Sequence, residues 1–200
     1  MPSVWPLPIL PTRRPNPAIT SSTDQNTASL QRPRGPWRQL AGARAQGYQV
    51  TSLGDAVTGE ARVVAVAHAK LALEARARGR RLAIISGGEL EVTVHNRGGR
   101  GGRSQEYALA LAIAIKDTPG IAAIAADTDG IDGGEGRVTD PAGAVVTSET
   151  VARAAARHLV AQKFLDENNA TPFFEALGDL VVRGPTHTNV NDFRAILVDG

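Results

Sequence analysis

The sequence predicts an α/β fold, a layered mixed sheet with flanking helices. Two observations carry this. Short apolar runs such as "RRLAIIS" and "GIAAIAA" are continuous, as in strands buried on both faces. They alternate along the chain with longer Ala-rich stretches of helical period, the pattern of layered α/β domains.

In chain order, residues 1–36 hold eight of the twelve prolines, mixed with "SSTDQNTAS" and without apolar periodicity. Such a stretch buries too little surface to offset its ordering entropy, so a disordered leader is expected there, with one domain over 37–200. "PWRQLAGARAQG" reads as a helix ended near Gly47, followed by a strand at 48–53. "DAVTGEARVVAVAHAKLALEARARG" reads as a long helix capped by Thr58 and stopped by Gly79. A strand over 80–86, a "GGE" turn and an alternating "LEVTVH" strand follow. Next come a glycine–arginine loop, a helix over 103–116, and the buried strand 120–126 ending in the acidic loop "DTDGIDGGEGRVTDPAG". Helices are expected at 148–159, capped by Ser148, and at 171–177, with Pro172 in the first turn. Strands at 179–184 and 193–200 flank the loop "PTHTNVND".

Composition narrows the function. Residues 1–50 carry six arginines against the single acid Asp24, so the rest of the chain is mildly acidic despite a formal net charge of +2. That balance argues against nucleic acid as the partner. No apolar run is long enough to span a membrane, and prolines break the N-terminal apolar stretch, which is no signal peptide. The chain has no cysteine, which suits a reducing compartment.

Four loops carry candidate chemistry. In "NRGGRGGRSQEYALALAIAI", glycines and Arg103 open a helix, an arrangement that presents backbone N–H groups and a partial positive charge to an anion. Arg103, in the first turn, opposes the dipole unless an anion joins it. The loop has neither the Lys-Ser/Thr of a P-loop nor the third glycine of a dinucleotide fingerprint. Its RGG-like composition also allows an RNA-binding reading, or a plain connector. In "ADTDGIDGG", Asp127, Asp129 and Asp132 crowd a strand end, either as ligands of a hard cation or as a run of Asx turns. In "RGPTHTNVND", Thr186, Thr188 and Asn189 offer small hydrogen-bonding groups, or merely staple a turn. Glu89 in "SGGEL" stands at a strand end, in a site or in a simple hairpin.

Taken in order, "SGGELEVTV", "GGRGGRSQEYALALA", "AADTDGIDGG", "DPAGAVV" and "GPTHTNVNDF" resemble the C-terminal MOFRL domain of class II glycerate 2-kinases, a family whose members are often named hydroxypyruvate reductase. The resemblance covers about residues 45–198. It implies a cytoplasmic enzyme of about twice this length, with an N-terminal Rossmann-like domain across a cleft. Its activity would be ATP- and Mg2+-dependent phosphorylation of D-glycerate to 2-phosphoglycerate. Arg103 and Asp129 would then be catalytic. Gly101, Gly102, Ser104, Gln105, Glu89, Thr186, Thr188 and Asn189 would bind substrate or phosphate, and Asp127, Asp129 and Asp132 would hold the metal. Two departures stand out: Ser104 replaces the usual Asn, and His187 the usual Gly. Residues 1–36 do not resemble the N-terminal kinase domain, so the chain is expected to be truncated and weakly active or inactive alone. A hydroxypyruvate reductase or a non-catalytic anion- or nucleic-acid-binding module are the alternatives.

Overall fold

The computed structural model describes residues 42–186 and 191–200. A helical turn over 42–45 leads into β1 (Gln49–Ser52), β2 (Gly59–Glu60) and α1 (Ala61–Ala77). Then follow β3 (Leu82–Gly88), β4 (Leu90–Glu91), α2 (Arg103–Ile115), β5 (Ile121–Asp127) and β6 (Gly143–Thr147). The short helices α3 (Thr150–Ala155), α4 (Ala161–Asp166) and α5 (Ala170–Leu177) precede β7 (Leu180–Val181) and β8 (Asp192–Val198). Six strands form one sheet in the order β1-β3-β8-β5-β6-β7, and β2 pairs with β4 in a separate two-stranded ribbon. Only β1–β3 is parallel in the large sheet; its other pairings are antiparallel, so the sheet is mixed as expected.

The core lies between the helices and one face of this sheet. Ile84, Ala123, Ala125, Val146, Ile196 and Val198 project from the strands into a single apolar cluster. Ala65, Ala69 and Ala72 of α1 and Leu109, Leu111 and Ile115 of α2 fill it from the helix side. The alanines matter because small side chains let the α1 backbone come close to its neighbours. Phe173 and Phe174 of α5 close the cluster, meeting edge-to-face at a centroid distance of 5.2 Å.

Several sequence-based boundaries shift. Glu60, not Thr58, is the N-cap of α1, because residues 59–60 are held extended in the ribbon. Ser148 caps nothing: α3 begins at Thr150, whose hydroxyl accepts the Thr147 N–H at 2.9 Å. The alternation in "LEVTVH" produces only the two residues of β4. Beyond them, side chains replace a ladder: Glu60 accepts the Thr93 N–H at 3.1 Å, and Asn168 Oδ1 accepts the His95 N–H at 2.7 Å. Three elements depart from the expected pattern: β2 takes the first two residues of the expected long helix, β6 is a five-residue run with no alternation, and the six-residue α4 is too short to show a period.

Candidate active site

The charged loops converge at one edge of the sheet. The register pairs Gly88 and Asp127 with Asp192 on either side, so the C-terminal ends of β3 and β5 meet the first residue of β8. The N-terminus of α2 points into the same edge. Between them lies a cleft of about 690 Å3, lined among others by Gly101, Gly102, Arg103, Asp127, Asp129 and Asp132. The glycine loop and the acidic loop, far apart in sequence, therefore share one hollow. Ligands of open α/β sheets bind at this edge.

The start of α2 explains the glycines differently from the sequence reading. The expected anion is Asp132 itself. Its Oδ1 accepts the Ser104 N–H at 2.9 Å and its Oδ2 the Gln105 N–H at 2.8 Å, so the helix N-terminus is capped from a distant loop. Gly102 makes room for this: a Cβ there would lie 2.4 Å from both the Asp132 carbonyl and Oδ1. Burial pushes the Asp132 carboxyl up to about 7, against the pull of the Ser104 and Gln105 N–H groups. Asp132, expected as a metal ligand, spends both its oxygens on the helix N-terminus. Ser104 and Gln105 are fully buried, and Gln105 Nε2 also donates to the Asp132 carbonyl at 3.0 Å while its Oε1 accepts from Thr171. Gln105 is thus a clamp between α2, α5 and the acidic loop rather than a cleft ligand. The Ser104 hydroxyl has no hydrogen-bond partner among the described residues.

Arg103 is equally committed. Each guanidinium nitrogen reaches a different carboxylate: Nε to Asp192 at 2.9 Å, Nη1 to Glu89 at 2.8 Å and Nη2 to Asp127 at 2.8 Å. Partial burial works against its charge, but Asp192, Asp127 and Glu89 together hold Arg103 above the ordinary arginine value. Burial raises the Asp127 carboxyl; Asp129 and Asp192 add to that, while the Asp129 N–H and Arg103 oppose it. Of the three partners only Glu89 is well exposed, at 59% of its side-chain surface, so it is the one that solvent or a ligand can displace.

The acidic loop is a run of Asx turns. Asp127 Oδ1 accepts the Asp129 N–H at 3.2 Å, and Asp129 Oδ1 accepts the Ile131 N–H at 2.9 Å. Among the described residues no group of three or more acidic or histidine side chains converges as a metal cage. The third loop joins the second: the Thr186 N–H donates to the Asp129 carbonyl at 2.8 Å. Gly130 permits this contact at φ 98°, since a Cβ would meet the Gly184 carbonyl at 2.1 Å. Thr188 and Asn189 lie outside the described residues.

Sequence reasoning missed four charged or polar groups, Asp192 and Arg194 behind the cleft and Glu106 and Asn168 in its lining. Asp192 and Arg194 are buried on the core-facing side of β8 and pair through Oδ2 and Nη1 at 3.0 Å. Their parity was a signal: they share a face with Ile196 and Val198, where an isolated strand pattern calls for apolar residues. Glu106 accepts from Arg62 Nη2 at 2.6 Å and from Asn168 Nδ2 at 2.9 Å. Asn168, at φ 49°, ties Glu106 to the backbone at residues 93–96, and nothing in "ENNATP" announced it.

Fold and cleft together define an α/β domain with a charged cleft at the sheet edge, framed by glycine-rich and Asx-turn loops. The chain belongs to the MOFRL family, whose model matches residues 82–192. It is 47% identical over 151 residues to a protein of Agrobacterium vitis named as a hydroxypyruvate reductase, covering 73% of this chain and 34% of that one. It is 32% identical over 160 residues to the glycerate 2-kinase of Pyrococcus horikoshii, covering 78% of this chain and 35% of the relative. The crystal structure of the glycerate kinase of Thermotoga maritima superposes with a TM-score of 0.74 at 31% identity, over 79% of this chain and 38% of that one. The chain thus spans about a third of the length of these relatives. Among the described residues no helix is long and apolar enough to cross a membrane.

Proposed function

We propose that the chain forms one wall of a glycerate 2-kinase active site, transferring phosphate from ATP to the 2-hydroxyl of D-glycerate. The carrying observation is the cleft in which Arg103 is fixed between Asp127, Asp192 and the displaceable Glu89. A substrate carboxylate that replaced Glu89 on Nη1 would gain a charge-assisted pair without a change in the arginine's position. Phosphoryl transfer depends on positioning and charge neutralisation more than on covalent chemistry, and a pre-held guanidinium supplies both.

Asp129 lines the cleft and keeps one carboxylate oxygen beyond its Asx turn, beside Asp127. One or two carboxylates suit a Mg2+ ion that brings its own waters and phosphate oxygens, whereas they do not make a protein cage. Asp127 and Asp129 would hold such an ion, which would neutralise phosphate charge. Thr186 lies beside Asp129 with its N–H on the Asp129 carbonyl and its hydroxyl donated to the Thr128 carbonyl, so it would hold the loop around the phosphates rather than donate to them. An N-terminal kinase domain is proposed to supply the nucleotide site and the opposite wall. The named A. vitis relative prompts the alternative of a hydroxypyruvate reductase, although no dinucleotide fingerprint is present in this chain.

A coupled assay with D-glycerate and MgATP tests this, on the chain alone and mixed with the N-terminal half of the P. horikoshii enzyme. Turnover is expected in the mixture, falling by about 10²–10³ with Arg103→Ala. Unchanged turnover in that variant, or NADH oxidation with hydroxypyruvate in place of phosphorylation, would reject the reading.

A further inference from the structure

We infer that Asp192 and Arg194 are positioning residues that aim the Arg103 guanidinium into the cleft. The inference rests on the reading of Arg103 as the group that meets an anionic substrate, and deepens it.

Arg194 sits in the middle of the sheet, 1% exposed, on the strand face it shares with Asp192, Ile196 and Val198. A guanidinium in that place costs desolvation that an apolar side chain of similar size would avoid. Burial indeed pulls its proton affinity below the ordinary arginine value, against the attraction of Asp192. Each of its three nitrogens has a partner: Nη1 Asp192, Nη2 the Gly87 carbonyl at 2.7 Å, and Nε Ser86 Oγ at 3.2 Å. It therefore faces the back of the site and does not itself reach a ligand. Its effect passes through Asp192, whose side chain is fully buried. With Oδ2 held by Arg194, and by the Leu90 N–H at 3.4 Å, the carboxylate has one orientation, and Oδ1 is turned to Arg103 Nε.

The choice of Nε is the informative detail. Anchoring an arginine by Nε fixes the plane of the guanidinium and leaves its Nη1–Nη2 edge outward. In this chain that edge reaches Glu89 and Asp127 at the cleft. Asp192 alone would neutralise Arg103 in many orientations; Asp192 locked by Arg194 selects one. Such a second layer of held groups is what keeps an active-site side chain within a fraction of an ångström of its working position.

The test uses the full chain and Arg194→Met, which keeps volume and removes charge, with Arg194→Lys as the conservative partner. The Arg103 Nε–Hε resonance, assigned by its disappearance in Arg103→Lys, reports the anchor directly. In Arg194→Met we expect a folded protein with a lowered thermal midpoint, because Asp192 Oδ2 and the Gly87 carbonyl lose a buried partner, together with Hε exchange with water about tenfold faster and D-glycerate affinity in the presence of Mg2+ roughly tenfold weaker. Arg194→Lys should retain part of the Hε protection. Unchanged Hε exchange in both variants overturns the inference. So does loss of folding in both, which would make the pair structural; if only Arg194→Met unfolds, Hε protection in Arg194→Lys equal to wild type overturns it as well. Absence of glycerate binding in wild type with a protected Arg103 Hε would instead reject the kinase reading and leave the anchor standing.

Discussion

A single carboxylate, Asp132, joins two loops that the sequence presents as separate motifs. Asp132→Ala removes the partner of two helix N–H groups in a buried place, so a loss of about 2 kcal/mol is expected in chemical denaturation. Titration adds a sign. Asp132 ionises at about 7 when folded against 3.8 ordinarily, so its contribution is full below pH 3.8 and is lost as pH rises towards 7. His68, whose Nδ1 lies 2.9 Å from the Tyr107 hydroxyl, is pushed down by burial, and by the Arg194 charge, from 6.5 to about 4. Its contribution is present above pH 6.5 and lost as pH falls towards 4. The two slopes oppose each other between about pH 4 and 6.5. Denaturation of His68→Gln should give stability that falls as pH rises through this window, and Asp132→Asn stability that falls as pH drops; slopes of equal sign in the two variants would refute the assignment.

Among the elements, α2 serves site and core at once: Arg103 and Glu106 line the cleft, and Tyr107, Leu109, Leu111 and Ile115 are buried in the core. Leu111→Ala, at a fully buried position, should cost roughly 2–5 kcal/mol by calorimetry or denaturant titration, with the cost set by how far the surrounding alanines can close in. This helix was legible in the sequence because its period is long and its first turn unusual. β3, β5 and β8 were legible as unbroken or alternating apolar runs. β6 and α4 were not, because five or six residues carry too little periodicity, and their formation depends on neighbours such as the Phe164–Phe173 contact at 5.6 Å. The candidate site was legible as a set of loops but not as an arrangement. Arg103, Asp127 and Glu89 stood out by type, whereas the roles of Asp132 and Gln105 follow from a bond across 27 residues that spacing does not reveal.

For the whole molecule, the order β1-β3-β8-β5-β6-β7 makes β8 the seam of the sheet. Hydrogen exchange should show β3, β5 and β8 opening as one unit, and Ile196→Ala should speed exchange in β3 and β5 alike. Protection of β5 and β6 that persists while β3 exchanges freely would contradict this. The family membership and the cleft fit the same picture, since the proposed kinase chemistry needs β3, β5 and β8 assembled before Arg103 has its partners.

That seam also governs biosynthesis. As the chain leaves the ribosome, the β1–β3 and β5–β6–β7 portions emerge with no ladder between them, and only residues 192–198 can zip the two together. Nascent chains stalled short of that point would present two sticky half-sheets to chaperones, and assembly would wait on a closure between segments about a hundred residues apart.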